Sequence, residues 1–492
     1  MALMSTTSPA DVPVAGTTDV MSRLRQALQE SGYTTQALRG LLRTDGELGL
    51  RPLDAQVYER RTRGGSRLAT VVRLFALGMA VSEGEMVSAL DPVALGELVD
   101  MGLVTVDAAQ VLPVVRLVVH GDYFIAHDLP DRGGANHVPG ISRPTTLLAG
   151  LAVREQVQKM LDLGSGNGIQ GLLAARHSGR VVCTDINPRA LAYARFNAAL
   201  NGIENLETRL GSLYEPVADE RFGLILANPP YVISPESSLA YRDSGRRPGE
   251  FCCEVVMGAG DHLDQDGFAQ VLVSWPMAAG RRWDEPLRAW LPSGVDAWLL
   301  HYQTEDPLTH TSRWNQPLDD TGIRNRELVL DEWLRYYKEE GVDAIGFGAL
   351  FLHSRPGGGS VFVSEGRSGV AGAGRQVQRV FAAIAAGDVT HEQLMRTVFR
   401  PVPELRLEQI AQLGADGTWT VGQCVARLTE GVGCEGTIDS TLATVLTSLD
   451  GQVSLTEAVA NAADQLGTDR AELLEPAAAM ARGLYQLGFL ER

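Results

Sequence analysis

Along residues 20–107 apolar side chains recur every three or four positions, which predicts helices at 21–31, 35–42, 68–77 and 95–101. The pattern then changes. Runs rich in Val and aromatics at 111–119 and 122–126 read as strands, with His120-Gly121 as the turn between them. After a turn at 131–136, short apolar runs alternate with amphipathic stretches. Strands are predicted at 156–161, 180–184, 206–210, 222–227, 268–274, 295–302 and 344–353. Helices are predicted at 168–177, 188–200, 250–263, 283–290 and 327–340. This rhythm implies an α/β unit with a mostly parallel, doubly wound sheet and right-handed crossovers. Beyond Gln376 the pattern turns helical and then acidic, residues 401–492 holding five Arg, no Lys and thirteen Asp or Glu. The predicted organisation is a disordered tail at 1–17, a helical domain at 18–130, the α/β domain at 131–360 and an acidic helical domain at 361–492.

Composition narrows the class. A chain of 492 residues has room for several domains, and 45% apolar with 21% charged residues is ordinary for a globular protein. No run of about 18 apolar residues exists to span a membrane. The first 17 residues lack the basic-then-apolar order of a signal peptide. A cytoplasmic location and no membrane partner are therefore expected. Net charge is −17, which argues against a general nucleic-acid binder, since phosphate contacts need a basic face. The five cysteines, Cys183, Cys252, Cys253, Cys424 and Cys434, form no Cys-x-x-Cys pair. Neither a disulfide framework nor a metal site is expected, and Cys252-Cys253 reads as helix packing.

Chemistry concentrates in two places. The first is Leu161-Asp-Leu-Gly-Ser-Gly-Asn-Gly-Ile-Gln-Gly171, placed between a predicted strand and a predicted helix. Gly164, Gly166 and Gly168 allow a tight turn and close approach of a ligand to the backbone. Asp185, at the end of the next strand, suits a ribose diol. Gly166–Gly171 also fits the G-x-G-x-x-G dinucleotide fingerprint, but Asp162 beside a pyrophosphate would be repulsive. The second place is Asn228-Pro229-Pro230-Tyr231, directly after a buried strand. The Asn228 side-chain oxygen and the Pro229 carbonyl can accept the two N–H hydrogens of a planar nitrogen and stabilise positive charge growing there. The prolines stiffen the loop. Tyr231 can stack on the planar group.

In this order and spacing, Asp162–Gly168, Asp185-Ile186-Asn187 and Asn228–Tyr231 resemble the class I S-adenosylmethionine-dependent methyltransferases. Within these they are similar to the Asn-Pro-Pro-Tyr group, which methylates glutamine N5 in release factors or adenine N6 in nucleic acids. The resemblance covers roughly 136–354. It implies a Rossmann-like methyltransferase sheet and S-adenosyl-L-methionine as cofactor, while the flanking N- and C-terminal units read, from their own helical patterns and the hairpin at 111–126, as mainly helical and winged-helix-like. It further implies that Asp162, Gly164, Ser165, Gly166, Asn167 and Gly168 hold the methionine part. Asp185 would hold the ribose, and Ile186, Asn187, Ser212 and Leu213 would surround the adenine. Asn228, Pro229, Pro230 and Tyr231 would form the catalytic loop, with Asn228 also touching the cofactor. Ser212 stands where relatives often carry Asp, and Gly223 replaces another frequent Asp.

Other candidates surround these. Ser142 and Thr145 can touch the cofactor or cap a helix at 146–152. Arg242, Arg246 and Arg247, and the segment opened by residues 303–307, can line the substrate entrance or lie on the solvated surface; His137 reads as structural. The favoured function is N-methylation of a glutamine-like amide in a protein or peptide. The alternatives are adenine N6-methylation in RNA or DNA, methylation of a specialised peptide or small molecule, a cofactor-sensing binding module, and a dinucleotide oxidoreductase. The acidic C-terminal unit points to protein contact or self-association, with a homodimer through the flanking units as one form of it.

Overall fold

Eight strands form the central sheet: β1 (Val157–Leu163), β2 (Ser178–Asp185), β3 (Leu206–Leu210), β4 (Phe222–Ala227), β5 (Leu263–Met277), β6 (Val295–Glu305), β7 (Ala344–Ser354) and β8 (Val361–Glu365). The structure is a computed structural model and describes residues 12–44, 50–51, 54–130, 132–236, 239, 241–315, 323–367, 372–387 and 389–492. Across the sheet the order is β8-β6-β7-β5-β4-β1-β2-β3. β7 runs against its neighbours β5 and β6, and the remaining pairings are parallel. The chain works outward from β1 to β3, then returns to lay β4 on the other side of β1. Strand order thus reverses between β1 and β4, where a crevice opens at the carboxyl ends of the strands.

Register brings distant residues together at that crevice. Leu163 of β1 pairs with both Thr184 of β2 and Ala227 of β4. Gly164, Asp185 and Asn228 therefore leave three adjacent strands side by side. Among the helices are α1 (Arg143–Leu151), α2 (Ile169–Ala174), α3 (Pro188–Leu200), α4 (Glu250–His262), α5 (Pro307–Trp314), α6 (Ile323–Glu340) and α7 (Gly374–Ala385). Ser142 caps α1, accepting from the Thr145 amide at 3.3 Å. Asn187 caps α3 ahead of Pro188, whose fixed φ suits a first helical position.

The N-terminal helices share one core with α3: Met21, Leu24 and Leu28 belong to the same buried cluster as Tyr193, Phe196 and Leu200. The hairpin Val115–His120/Tyr123–Asp128 is held to α3 by two asparagines one turn apart. Asn197 bonds both backbone groups of Ala126, at 2.7 and 3.0 Å, and Asn201 bonds both of Phe124, at 2.9 and 2.7 Å. Their amides do for this strand edge what a neighbouring strand would do. A buried ion pair locks the hairpin end: Asp128 accepts from Arg189 of α3 and from the Tyr193 hydroxyl at 2.6 Å. On the opposite side, Val377, Val380 and Phe381 of α7 share a core with Trp298 and Phe351 of the sheet.

Several expectations change. The run at 111–119 divides at Val114 into Gln110–Pro113, which pairs with Val81–Ser82 and Val104–Asp107, and Val115–His120 of the separate hairpin. The helix expected at 68–77 is α-helical at Arg67–Val71 and a π-turn at Val72–Ala76. Helices at Ala55–Arg61 and Glu83–Leu90 were not anticipated. The sheet runs one strand past residue 360. Of the tail expected at 1–17, residues 1–11 lie outside the described residues, whereas Val14 N–H donates to Met101 O at 3.0 Å and Pro13 is buried. The C-terminal unit is not purely helical: Leu405–Leu413, Trp419–Leu428 and Glu435–Ile438 form an antiparallel sheet. Most of the first two strands is exposed on both faces, so no two-residue alternation marks them. Asp416-Gly417 between them was the available hairpin signal.

Candidate functional site

The crevice at the strand-order reversal holds a cleft of about 210 Å³, many times the roughly 10–15 Å³ that one water needs. Its floor is the β1–α2 turn, with Asp162, Gly164, Ser165, Gly166 and Asn167. Asp185, Ile186 and Asn187 after β2, Gly211, Ser212 and Leu213 after β3, and Asn228, Pro229 and Pro230 after β4 also line it.

Both carboxylates are tied to backbone. Asp162 Oδ2 accepts from the Gly171 amide at 2.9 Å, at the start of α2. Asp185 accepts from the Gly166 and Asn187 amides at 2.9 and 2.8 Å. Burial pushes the Asp162 carboxyl up to about 7, and nearby Asp185 adds to the rise. Burial raises Asp185 as well, against the hydrogen bonds it accepts. Among the described residues no Lys or Arg lines the cleft; His137 is its basic side chain. A pyrophosphate would meet two carboxylates and no fixed cation, which counts against the dinucleotide reading. A cationic amino-acid group beside Asp162 and a diol beside Asp185 fit this donor set. Ile186 is two-thirds exposed, 66%, and faces the cleft, an apolar surface suited to a flat ring.

The glycines have separate tasks. Gly164 and Gly166 have φ of +68° and +53°, and a side chain at either would meet nothing within 4 Å. Gly168, at φ +83°, serves packing: a Cβ there would lie 2.9 Å from Ala194 Cβ of α3. Gly223 of β4 sits tight against β1. A Cβ would stand 3.0 Å from Val157 Cγ1, so the neighbouring strand leaves little room for a carboxylate.

Two asparagines strap the segment before α1 over the cleft. Asn167 Nδ2 donates to Pro139 O at 3.0 Å and Asn187 Nδ2 to Asn136 O at 2.9 Å. These side chains are thereby engaged, and the strap brings His137, Val138, Pro139 and Gly140 into the lining. Val138 is held from behind, its amide donating to Asp128 at 2.8 Å. Burial raises the Asp128 carboxyl, but the bonds from Arg189, Tyr193 and Val138 outweigh burial and set its pKa below the ordinary value. Thr145 lines the cleft, whereas Ser142 is a helix cap.

In the loop after β4, Asn228 Oδ1 is buried and accepts no hydrogen bond. Tyr231 is not among the cleft-lining residues. Its backbone oxygen accepts from Ser274 Oγ, and its ring packs between two buried clusters. The aromatic rings on the cleft wall are Tyr241 and Phe251, which sequence reasoning missed because they follow the loop by 10 and 20 residues. The three arginines after the loop are paired: Arg242 with Glu236 and Asp243, Arg246 with Glu254, and Arg247 with Glu340 at 3.2 Å. The segment 303–307 does not line the cleft; it ends β6 and starts α5, and residues 316–322 of the insert lie outside the described residues.

Residues 141–272 match the family model described as Methyltransferase small domain. This segment contains β1 to β4, α1 to α4 and most of the cleft. Residues 30–114 match Domain of unknown function (DUF7059), and 384–492 match Domain of unknown function (DUF7782). The chain is 39% identical over 98 residues to an arsenite methyltransferase of Halobacterium salinarum, covering 19% of this chain and 25% of that protein. It is 34% identical over 109 residues to a release factor glutamine methyltransferase of Xylella fastidiosa, covering 22% and 38%. It is 34% identical over 125 residues to a ribosomal protein uL3 glutamine methyltransferase of Bradyrhizobium diazoefficiens, covering 23% and 39%. The chain thus spans well under half the length of these curated relatives. Their names agree on methyl transfer and differ in acceptor. Among the described residues no helix is long and apolar enough to cross a membrane, and no cluster of three metal-ligating side chains occurs.

Proposed function

We propose that this chain is an S-adenosylmethionine-dependent N-methyltransferase acting on a glutamine-like amide of a protein or peptide. The observation that carries the reading is Asn228 Oδ1, a buried acceptor without a partner, on a residue that lines the same cleft as Asp162 and Asp185. A buried acceptor left unpaired costs about 1–3 kcal/mol, a cost that an incoming N–H donor removes.

In this reading Asp162 faces the cationic amino-acid part of the cofactor, Asp185 accepts from the ribose hydroxyls, and Ile186 and Leu213 sandwich the adenine. S-adenosylmethionine supplies an electrophilic methyl group on a positively charged sulfur. Asn228 Oδ1 and the Pro229 carbonyl accept the two N–H groups of the acceptor and turn its lone pair toward that methyl. They also stabilise the positive charge that grows on nitrogen. Tyr241 and Phe251 take over the stacking role expected of Tyr231.

The pairing of Arg242, Arg246 and Arg247 with carboxylates supports a protein acceptor over a nucleic acid, because their charge is already neutralised. The glutamine-modifying relatives support the same choice. The helices beside small antiparallel sheets in both flanks support their winged-helix reading, and the acidic balance supports protein contact or self-association there. The test is transfer of tritiated methyl groups from S-adenosylmethionine into a cell extract, followed by separation of protein, nucleic acid and small molecules. Label in protein supports the proposal. Label in nucleic acid moves the acceptor to adenine, and no label with wild-type protein refutes methyl transfer.

A further inference from the structure

A loop with prolines at 229 and 230 offers no N–H donor at those positions. Beyond them the Val232 amide donates to Arg242 O at 3.3 Å, and two hydroxyl groups reach the segment's carbonyl oxygens. Ser274 Oγ of β5 donates to Tyr231 O. Two residues further on, the Tyr337 hydroxyl of α6 donates to Ile233 O at 2.8 Å. Tyr337 is buried, and its oxygen is also 2.7 Å from Nδ1 of His310 on α5. With the phenolic hydrogen spent on Ile233, His310 Nδ1 must be the donor to Tyr337 Oη. His310 is therefore the Nδ1–H tautomer, and burial keeps the ring neutral, with its pKa down to about 3.

A second set of bonds fixes the same segment further along. Trp333 Nε1 of α6 donates to Glu236 Oε1 at 3.1 Å. Arg242 bridges Glu236 and Asp243, and Ser234 Oγ donates to Asp243 at 3.1 Å. Val232 and Ile233 share a buried cluster with Trp333, Tyr337 and Ile345. The insert between β6 and β7 is thus attached to the backbone that leaves the Asn228–Tyr231 loop, through side chains that are not among those lining the cleft.

We propose that Tyr337 is a positioning residue for the reactive loop, with its hydroxyl aimed at Ile233 O by His310 from the insert. This rests on the methyl-transfer reading for its kinetic consequence but not for the anchoring itself. Tyr337 fixes where the loop leaves the cleft, and with it the direction in which Asn228 Oδ1 and the Pro229 carbonyl point. A misplaced acceptor costs rate without costing cofactor affinity.

The test uses the full chain with Tyr337→Phe, His310→Asn and His310→Leu. Backbone hydrogen exchange is followed at 228–236 and at 162–171, together with steady-state methyl transfer into extract protein. The Asn amide nitrogen can stand where Nδ1 stood, so His310→Asn should keep wild-type behaviour, which a purely packing role for the ring would not allow. Tyr337→Phe and His310→Leu should speed exchange at 228–236 and lower kcat, each by about tenfold, the equivalent of one lost hydrogen bond. Exchange at 162–171 and KM for S-adenosylmethionine should stay within about twofold of wild type if the damage is confined to the loop. Unchanged exchange at 228–236 in Tyr337→Phe overturns the proposal, as does His310→Asn behaving like His310→Leu. If the wild type transfers no methyl group, the functional reading fails while the exchange data still decide the anchoring.

Discussion

Asn228→Ala deletes a carbonyl oxygen that is buried and accepts no hydrogen bond in the free chain. Removing an unsatisfied acceptor relieves a desolvation cost of about 1–3 kcal/mol. The gap left behind costs about 1 kcal/mol if it stays empty, and less here because the residue opens to the cleft. The two effects oppose each other, so the unfolding free energy should change by no more than about 1–2 kcal/mol in either direction. Activity should behave differently. An acceptor aimed at charge that develops in the transition state contributes about 10²–10³-fold in kcat, or roughly 2.7–4 kcal/mol. The assays are urea unfolding, calorimetric titration with S-adenosylmethionine, and tritiated methyl transfer into extract protein. The expected result is near-wild-type stability, cofactor affinity within about threefold and kcat lowered about 10²–10³-fold. Asn228→Gln, which moves the oxygen outward by one methylene, should lose nearly as much rate. A kcat within about tenfold of wild type would refute the reasoning, and so would a stability loss above about 3 kcal/mol, because the amide would then be a structural group.

Asp162 gives a pH signature: its folded pKa, about 7, lies above the ordinary carboxylate value, so the stability it contributes is full below about pH 4 and is lost as pH rises through 7. Unfolding measured from pH 4 to 8 should show wild type losing stability relative to Asp162→Asn, and parallel curves would contradict this. Affinity for S-adenosylmethionine, whose cationic group needs the ionised form, should weaken below pH 7 toward about tenfold per pH unit, with proton release detectable by titration in two buffers. Gly168→Ala must hold an alanine at φ +83° with Cβ 2.9 Å from Ala194, so it should cost about 1–3 kcal/mol by urea unfolding and weaken cofactor binding through the displaced loop. Asp128→Ala leaves Arg189 buried without its carboxylate and should cost about 3–5 kcal/mol, of which Asp128→Leu combined with Arg189→Leu recovers part, as a double-mutant cycle will show.

The sequence by itself determined the local pieces. The strand–glycine–helix unit at 157–174, the cap residue Ser142, and the Asn-Pro-Pro loop after a buried strand are each written in a few consecutive residues. Periodicity and turn chemistry report burial and backbone constraint within one element, so these were legible. Tertiary structure decided the rest. Asp162, Asp185 and Asn228 share one cleft because Leu163 pairs with Thr184 on one side and Ala227 on the other, a register no local pattern encodes. Tyr231 packs, partly buried, against two clusters and is not among the cleft-lining residues, whereas Tyr241 and Phe251 are. Asp128 meets Arg189, and Tyr337 meets Ile233, across separations of 61 and 104 residues. Such contacts depend on strand order and helix placement, which arise when all the apolar faces are buried at once.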